Sequence, residues 1–151
     1  MPNSVIFSDL EKHFFNNLRV AHIATIDSKD NFPHIVPICF TFDESKFYTT
    51  LRKTSKRMRN IQKQTQVSLV FDEYEESKGN WIILKGILIK VRVSVLNYPQ
   101  HKEEFMKGWK QLLEKYPQYK TWAYDDLSPK DPDLRRIMWL EPISKVIWGF
   151  S

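Results

Sequence analysis

The chain has 151 residues, 42% of them hydrophobic, which suits one globular domain over residues 1–151 with a real core and leaves no room for a second. Its single cysteine, Cys39, excludes an internal disulfide and favours a reducing, cytoplasmic setting. The net charge of +5 favours anionic or phosphorylated partners, while the lack of any apolar run near ~20 residues excludes a membrane-spanning helix and the start Met-Pro-Asn-Ser lacks the basic lead of a secretory signal.

In chain order, Ser8-Asp-Leu-Glu11 has the form of a capping box, and Leu10, Phe14 and Leu18 follow at helical spacing. Arg19 to Ile26, Pro33 to Phe42 and Lys46 to Thr50 read as strands, separated by the polar turns Asp27 to Asn31 and Asp43 to Ser45. Gln66 to Asp72 reads as a further strand, Glu73 to Asn80 as a charged loop, and Trp81 to Leu96 as a long strand in which Gly86 marks a bend or bulge. Phe105, Trp109, Leu112 and Leu113 give an amphipathic helix between Pro99 and Tyr116. A polar connection then leads to two short strands, Arg136 to Leu140 and Lys145 to Phe150, parted by Glu141-Pro142. About seven strands with a few helices and no βαβ alternation predict a mainly β fold, a closed or nearly closed barrel with peripheral helices.

Between Thr50 and Gln64 the charge pattern is unusual. Thr54 or Ser55 is a natural N-cap, so Lys56, Arg57 and Arg59 fall in the first turn of a helix. A helix N-terminus carries about half a positive charge and favours acids, not cations. Two explanations stand at this point: an external anion such as phosphate, which helix starts bind through free N–H groups, or a basic face turned to solvent.

Other chemistries find little support. His13, His22, His34 and His101 lack metal-ligand spacing, one cysteine makes no thiolate cluster, and no metal site is expected. There is no nucleophile elbow, and a chain with 4 glycines has no glycine-rich phosphate loop. Trp81, Trp109, Trp122, Trp139 and Trp148 all lie in the second half; Trp109 fits a helix core, and the others suit an aromatic core, a planar-ring pocket or a subunit interface. The basic balance and the aromatics also admit a small barrel that binds single-stranded nucleic acid, although the cations gather at one helix start and do not track a groove.

Taken in order, Arg19-Val-Ala-His-Ile-Ala-Thr-Ile26, Pro33-His-Ile-Val-Pro-Ile-Cys-Phe40, Phe47-Tyr-Thr-Thr50 and Lys56-Arg-x-Arg-Asn-Ile61 resemble the pyridoxamine 5′-phosphate oxidase-like split-barrel family. Trp81-Ile-Ile-Leu-Lys-Gly86 and Lys115-Tyr-Pro-Gln-Tyr119 are similar to its subgroup that uses the deazaflavin coenzyme F420. The resemblance implies an FMN-binding split barrel that forms a homodimer, with two cofactor sites at the interface. It implies that Val36, Pro37 and Ile38 run beside a tricyclic ring through their backbone and that Tyr48, Thr49 and Thr50 flank the ribityl chain. Ser55, Lys56 and Arg57 match the phosphate ligands, in agreement with the helix-dipole argument. Arg52 and Lys53 offer contacts to the acidic tail of F420. Trp81, Trp139 and Trp148 are candidates for aromatics given by the partner subunit, and Arg59 is set aside as a solvated residue on a different helix face from Arg57. Authentic members with oxidase activity carry an Arg-x-His pair near the C-terminus, whereas no histidine follows His101 here. The implied activity is therefore an oxidoreductase with F420, or alternatively FMN, that passes hydride to a small organic acceptor, and no side chain is assigned as catalytic. A flavin- or haem-binding protein without turnover is the alternative.

Overall fold

The computed structural model describes residues 5–79, 81–118, 124–125, 128–129 and 135–150. Tyr119 and Trp122, both singled out from sequence, lie outside the described residues. The elements are α1 (Asp9–Asn17), β1 (Ala21–Ile26), β2 (Pro33–Ile38), β3 (Thr41–Asp43), β4 (Lys46–Arg52), α2 (Lys56–Lys63), β5 (Gln66–Ser77), β6 (Trp81–Leu96), α3 (Lys102–Lys115), β7 (Tyr124–Asp125), β8 (Ser128–Pro129) and β9 (Arg135–Trp148). α1 begins where expected, because Ser8 and Glu11 complete a reciprocal capping box.

Seven strands form one antiparallel sheet in the order β2-β1-β5-β6-β9-β4-β3, and β7 and β8 pair separately. The two outermost strands, β2 and β3, are separated in the chain only by Cys39 and Phe40. Laid flat, seven strands would hold those edges ~29 Å apart, whereas the link from Ile38 to Thr41 reaches at most ~11 Å. The sheet must therefore curl until its edges meet, and a barrel results.

Its interior is filled by aromatic rings. Phe15, Phe40, Phe47 and Phe71 are fully buried, with Phe15–Phe71, Phe40–Phe71 and Phe47–Phe71 centroids all 4.9 Å apart, the spacing at which ring edges and faces attract. A second core lies outside the barrel, where Phe105, Trp109, Leu112, Leu113 and Tyr116 pack α3 and its C-terminal end on Tyr48 and Ile137.

The corner between β2 and β3 leaves backbone groups without a strand partner, and two side-chain hydroxyls satisfy them. Thr49 Oγ1 donates to the Cys39 carbonyl at 2.6 Å. Tyr116 Oη accepts the Phe40 N–H at 3.1 Å and has the carbonyls of Arg19 and Phe40 in donating reach at 2.9 and 3.0 Å. Burial pushes the Tyr116 phenol up to about 12.

Four sequence readings change. The strand expected over Pro33 to Phe42 breaks at this corner into β2 and β3. The expected loop from Glu73 is strand as far as Ser77, because Tyr74 opposes Leu84 and Glu73 opposes Lys85, an apolar pair and an ion-compatible pair. Gly86 is not a bulge: it pairs continuously with Asp72 and Trp148, and a Cβ there would stand 2.4 Å from the Trp148 ring. The glycine leaves room for that indole. The two expected C-terminal strands are one, β9, and the irregularity falls at Lys90/Val91 opposite Ser144 and Pro142. A bulge is where a strand tolerates a proline that cannot donate to the ladder.

Replacing Tyr116 by Phe removes the hydroxyl and keeps the ring. The expected outcome in urea unfolding is a loss of about 1–3 kcal/mol, the cost of leaving buried backbone groups unpaired.

Candidate functional site

α2 starts where the sequence places it. Ser55 has extended geometry (φ −71°, ψ 157°), its Oγ accepts the Met58 N–H at 3.1 Å, and its own N–H donates to the Arg52 carbonyl at 3.0 Å. The helix is pinned from below by Met58 and Ile61, which enter the barrel core. Buried Asn60 also fixes it, donating from Nδ2 to Thr25 Oγ1 on β1 at 2.9 Å. No acid lies in the first turn, so nothing on the helix itself offsets the dipole or the Lys56 and Arg57 charges.

An acid from elsewhere does so in part. Lys56 Nζ pairs with Asp27 Oδ2 at 2.7 Å, and Asp27 Oδ1 accepts the Lys29 N–H at 2.9 Å. The hydrogen bond from Lys56, with that from the Lys29 backbone behind it, holds the Asp27 carboxyl below its ordinary value; Asp27 in turn raises Lys56. Between the β1–β2 turn and α2 lies a cavity of about 490 Å³ lined by Asp27, Ser28, Lys29, Lys56, Arg59, Asn60, Gln62 and Lys63. The three helix cations follow i, i+3, i+7 spacing, which sets them on one face. Arg59 thus shares the face of Lys56, and its guanidinium turns back to the Thr54 carbonyl at 2.9 Å. Half-buried Arg57 stands on another face.

The strand residues named from sequence lie on two open edges. β2 pairs with β1 and with no other strand of the sheet, so one edge of Val36, Pro37 and Ile38 carries backbone groups without a strand partner; Val36 is half-buried, Pro37 exposed and Ile38 buried. β4 pairs with β9 along Phe47 to Arg52 but with β3 only as far as Tyr48, which leaves an open edge from Thr49 to Arg52 leading into α2. The side chains on β4 are otherwise engaged. Tyr48 Oη donates to Glu104 Oε2 at 3.1 Å, Thr49 serves the corner, and Thr50 Oγ1 donates to the Arg136 carbonyl at 3.0 Å. Burial and the Glu104 carboxylate raise the Tyr48 phenol well above its ordinary value. For Thr49 and Thr50 this leaves the open backbone edge; Tyr48, fully buried and paired on both sides, has no such edge. Arg52 and Lys53 are exposed in the turn before Ser55.

The tryptophans do not converge on α2. Trp81 is 73% exposed and pairs at Ser77, the other end of the β5–β6 ribbon from α2, roughly 35 Å along the strand. Trp139 lies half-buried beneath Lys46 Nζ at 4.0 Å, and Trp148 covers Gly86.

The cavity beside α2 brings in Asp27, Lys29 and Lys63, which the sequence reading did not name as ligand candidates, and Arg59, which it set aside. The i, i+3, i+7 run from Lys56 was present in the sequence; the approach of the β1–β2 turn was not, because it depends on packing. Among the described residues no group of His, Cys, Asp or Glu has the arrangement to hold a metal ion, and no helix is long and apolar enough to cross a membrane.

The lowered Asp27 pKa has a definite sign. A depressed carboxyl contributes stability that is complete above its ordinary pKa of 3.8 and lost as pH falls through the lower folded value. Asp27→Asn is therefore expected to lower the urea midpoint at pH 7, with the gap from the parent chain closing as the solution is taken well below pH 3.8.

A family model described as pyridoxamine 5′-phosphate oxidase matches residues 7–144. No curated protein sequence matches the chain. Among solved structures, the haem storage protein HutZ from Vibrio cholerae superposes with a TM-score of 0.74 at 17% identity, covering 97% of each chain. An FAD-binding protein from Mesorhizobium loti gives 0.64 at 20% identity and 92% of each chain. A structure described as an F420 reductase gives 0.64 at 15% identity, covering 89% of this chain and 94% of its own. At these identities the likeness is one of fold, and that fold is the split barrel.

Proposed function

Because the chain belongs to the pyridoxamine 5′-phosphate oxidase family, we propose that it is a cytoplasmic oxidoreductase that binds the deazaflavin coenzyme F420, or FMN in its place, and acts on a small organic acceptor. The observation that carries this reading is the start of α2: Ser55 as N-cap, Lys56 and Arg57 behind it and no acid in the first turn. A hydroxyl, two cations and helix-start amides form a donor set for a dianionic phosphate, through charge-assisted hydrogen bonds. The open edges of β2 and β4 suit the rest of such a molecule, offering backbone groups of Val36 and Ile38 to a planar ring and of Thr49 and Thr50 to a ribityl chain. Arg52 and Lys53 suit an acidic tail.

When bound, the ring system supplies the hydride chemistry. The chain's own part is to bind and orient. Ser55 keeps its proton available for donation while its lone pair caps Met58. Asp27 holds the Lys56 ammonium beside the helix start and leaves the helix with a net positive face. The missing C-terminal Arg-x-His pair argues against vitamin B6 oxidation as the reaction.

A homodimer belongs to the same reading. Ile35, Tyr74, Leu84 and Val146 are 62%, 64%, 60% and 59% exposed, and the registers Ala24↔Ile35, His22↔Val70, Val70↔Leu88, Leu88↔Val146 and Tyr74↔Leu84 set them on one outward sheet face. An apolar face of this extent marks an interaction surface. A second copy seated there is also what would bring Trp81 to a cofactor site. Leu84→Glu is expected to halve the mass measured by light scattering, and a parent chain that is already monomeric would exclude the dimer.

The haem storage protein among the structural neighbours supports a second reading, binding without turnover. Titration with FMN, F420 and haem separates the two, together with reoxidation of the reduced cofactor by an acceptor panel. Saturable binding of F420 or FMN is expected, weakened at least about tenfold in a Lys56→Ala, Arg57→Ala variant, since each hydrogen bond to a charged group contributes about 1.5–3 kcal/mol. Absence of binding to both would sink the oxidoreductase reading.

A further inference from the structure

The cavity between α2 and the β1–β2 turn shares Lys56 with the helix start and follows the helix as far as Lys63, a run of roughly 10 Å at the rise of an α-helix. Its volume of about 490 Å³ exceeds what one phosphate fills and falls in the range of small-molecule sites. No aromatic or apolar side chain lines it, so a planar ring would find nothing to stack on. Lys29, Lys56, Arg59 and Lys63 line it as cations and Asp27 as the one acid. That acid is spent locally, on Lys56 Nζ at 2.7 Å and the Lys29 N–H at 2.9 Å. Asp30 is exposed and outside the lining, its Oδ1 accepting the Phe32 N–H. The lining therefore keeps three positive charges beyond the Lys56–Asp27 pair; among the described residues Lys29, Arg59 and Lys63 have no carboxylate partner.

A wall of cations without rings selects a flexible, non-aromatic polyanion. We propose, on the cofactor reading above, that this cavity holds the glutamyl tail of F420 and so separates that coenzyme from FMN, which has none. Because Lys56 belongs to both the helix start and the cavity, a chain that leaves a phosphate held by Ser55 and Lys56 enters a cationic track. Arg59 is steadied by Nη1 on the Thr54 carbonyl at 2.9 Å and keeps further N–H donors for a carboxylate. Ser28 and Gln62 add hydrogen-bonding groups for the amide links of the tail.

Arg52 and Lys53, exposed in the turn before Ser55, offer the tail charge alone. The cavity adds enclosure and a fixed frame. Met58 and Ile61 anchor the helix in the core, Asn60 ties it to Thr25 on β1 at 2.9 Å, and Asp27 Oδ1 holds the turn at Lys29. Cations carried on a rigid frame lose less entropy when an anion binds. Carboxylates set along this face also relieve the repulsion among cations that share one side of a helix.

The test is calorimetric titration of the full chain with three ligands: F420, F420 stripped of its glutamates, and FMN. The parent chain is expected to bind F420 at least about fivefold more tightly than the stripped form, through several exposed ion pairs of modest strength. Rising salt should shrink that ratio, because such pairs are screened. An Arg59→Gln, Lys63→Gln variant, its folding checked by near-ultraviolet circular dichroism, is expected to bring the ratio close to one, since both forms share the ring and the phosphate. A parent chain that does not distinguish the two forms, or a variant that keeps the parent's ratio, would overturn the tail site. Saturable FMN binding in either case would leave the cofactor reading standing, whereas a parent chain that binds none of the three ligands would overturn both.

Discussion

The corner at Cys39 and Phe40 is where this fold is held closed. There the chain passes from one edge of the sheet to the other, out of reach of any strand ladder, with buried backbone groups that need partners. Thr49 and Tyr116 supply them through one hydroxyl each. The consequences spread outward. Tyr116 follows directly after α3, so the bond that closes the barrel also fixes that helix against Tyr48 and Ile137. Because the strand breaks at the corner, β2 remains an edge and β3 is too short to cover β4 beyond Tyr48. These open edges are the other side of the constraint that closes the sheet.

α2 is positioned by the same core. Met58 and Ile61 reach into the barrel while Asn60 hydrogen-bonds β1, so the helix start is held in place and its charge does not depend on flexible side chains alone. Asp27 tempers that charge without cancelling it. A carboxylate fixed by two hydrogen bonds beside one lysine orients the ammonium, and the remaining cations of the face keep the local potential positive. An anion meeting this helix finds amides, a hydroxyl and cations arranged in advance, which lowers the entropy lost on binding.

Local signals were legible in the sequence and non-local ones were not. Ser8 with Glu11 and Ser55 with its following cations announced two helix starts correctly, since capping is settled within four residues. Trp81 to Leu96 was legible as one strand from its apolar run. Gly86 was read for its backbone freedom, whereas its role is to make room for Trp148 from β9, a residue 62 positions away in the chain. The extension of β5 to Ser77 was hidden because a strand so rich in acids looks like a loop until Leu84 and Lys85 are opposite it. Pro142 suggested a break, but a bulge absorbs it. At the start of α2, Lys56 and Arg57 stood out in the sequence by their odd placement on a helix dipole; Asp27 was passed over as a turn residue, since only the packed fold brings it to Lys56.

Family membership determines the architecture, and the proposed cofactor binding rests on one helix start. The most direct measurement is an amide chemical-shift titration of the ¹⁵N-labelled chain with FMN and with F420. The account predicts that the largest shifts fall on Lys56, Arg57 and Met58, with smaller ones along Val36, Ile38, Thr49 and Thr50. Saturation with either ligand while the Lys56 to Met58 amides stay in place would contradict it.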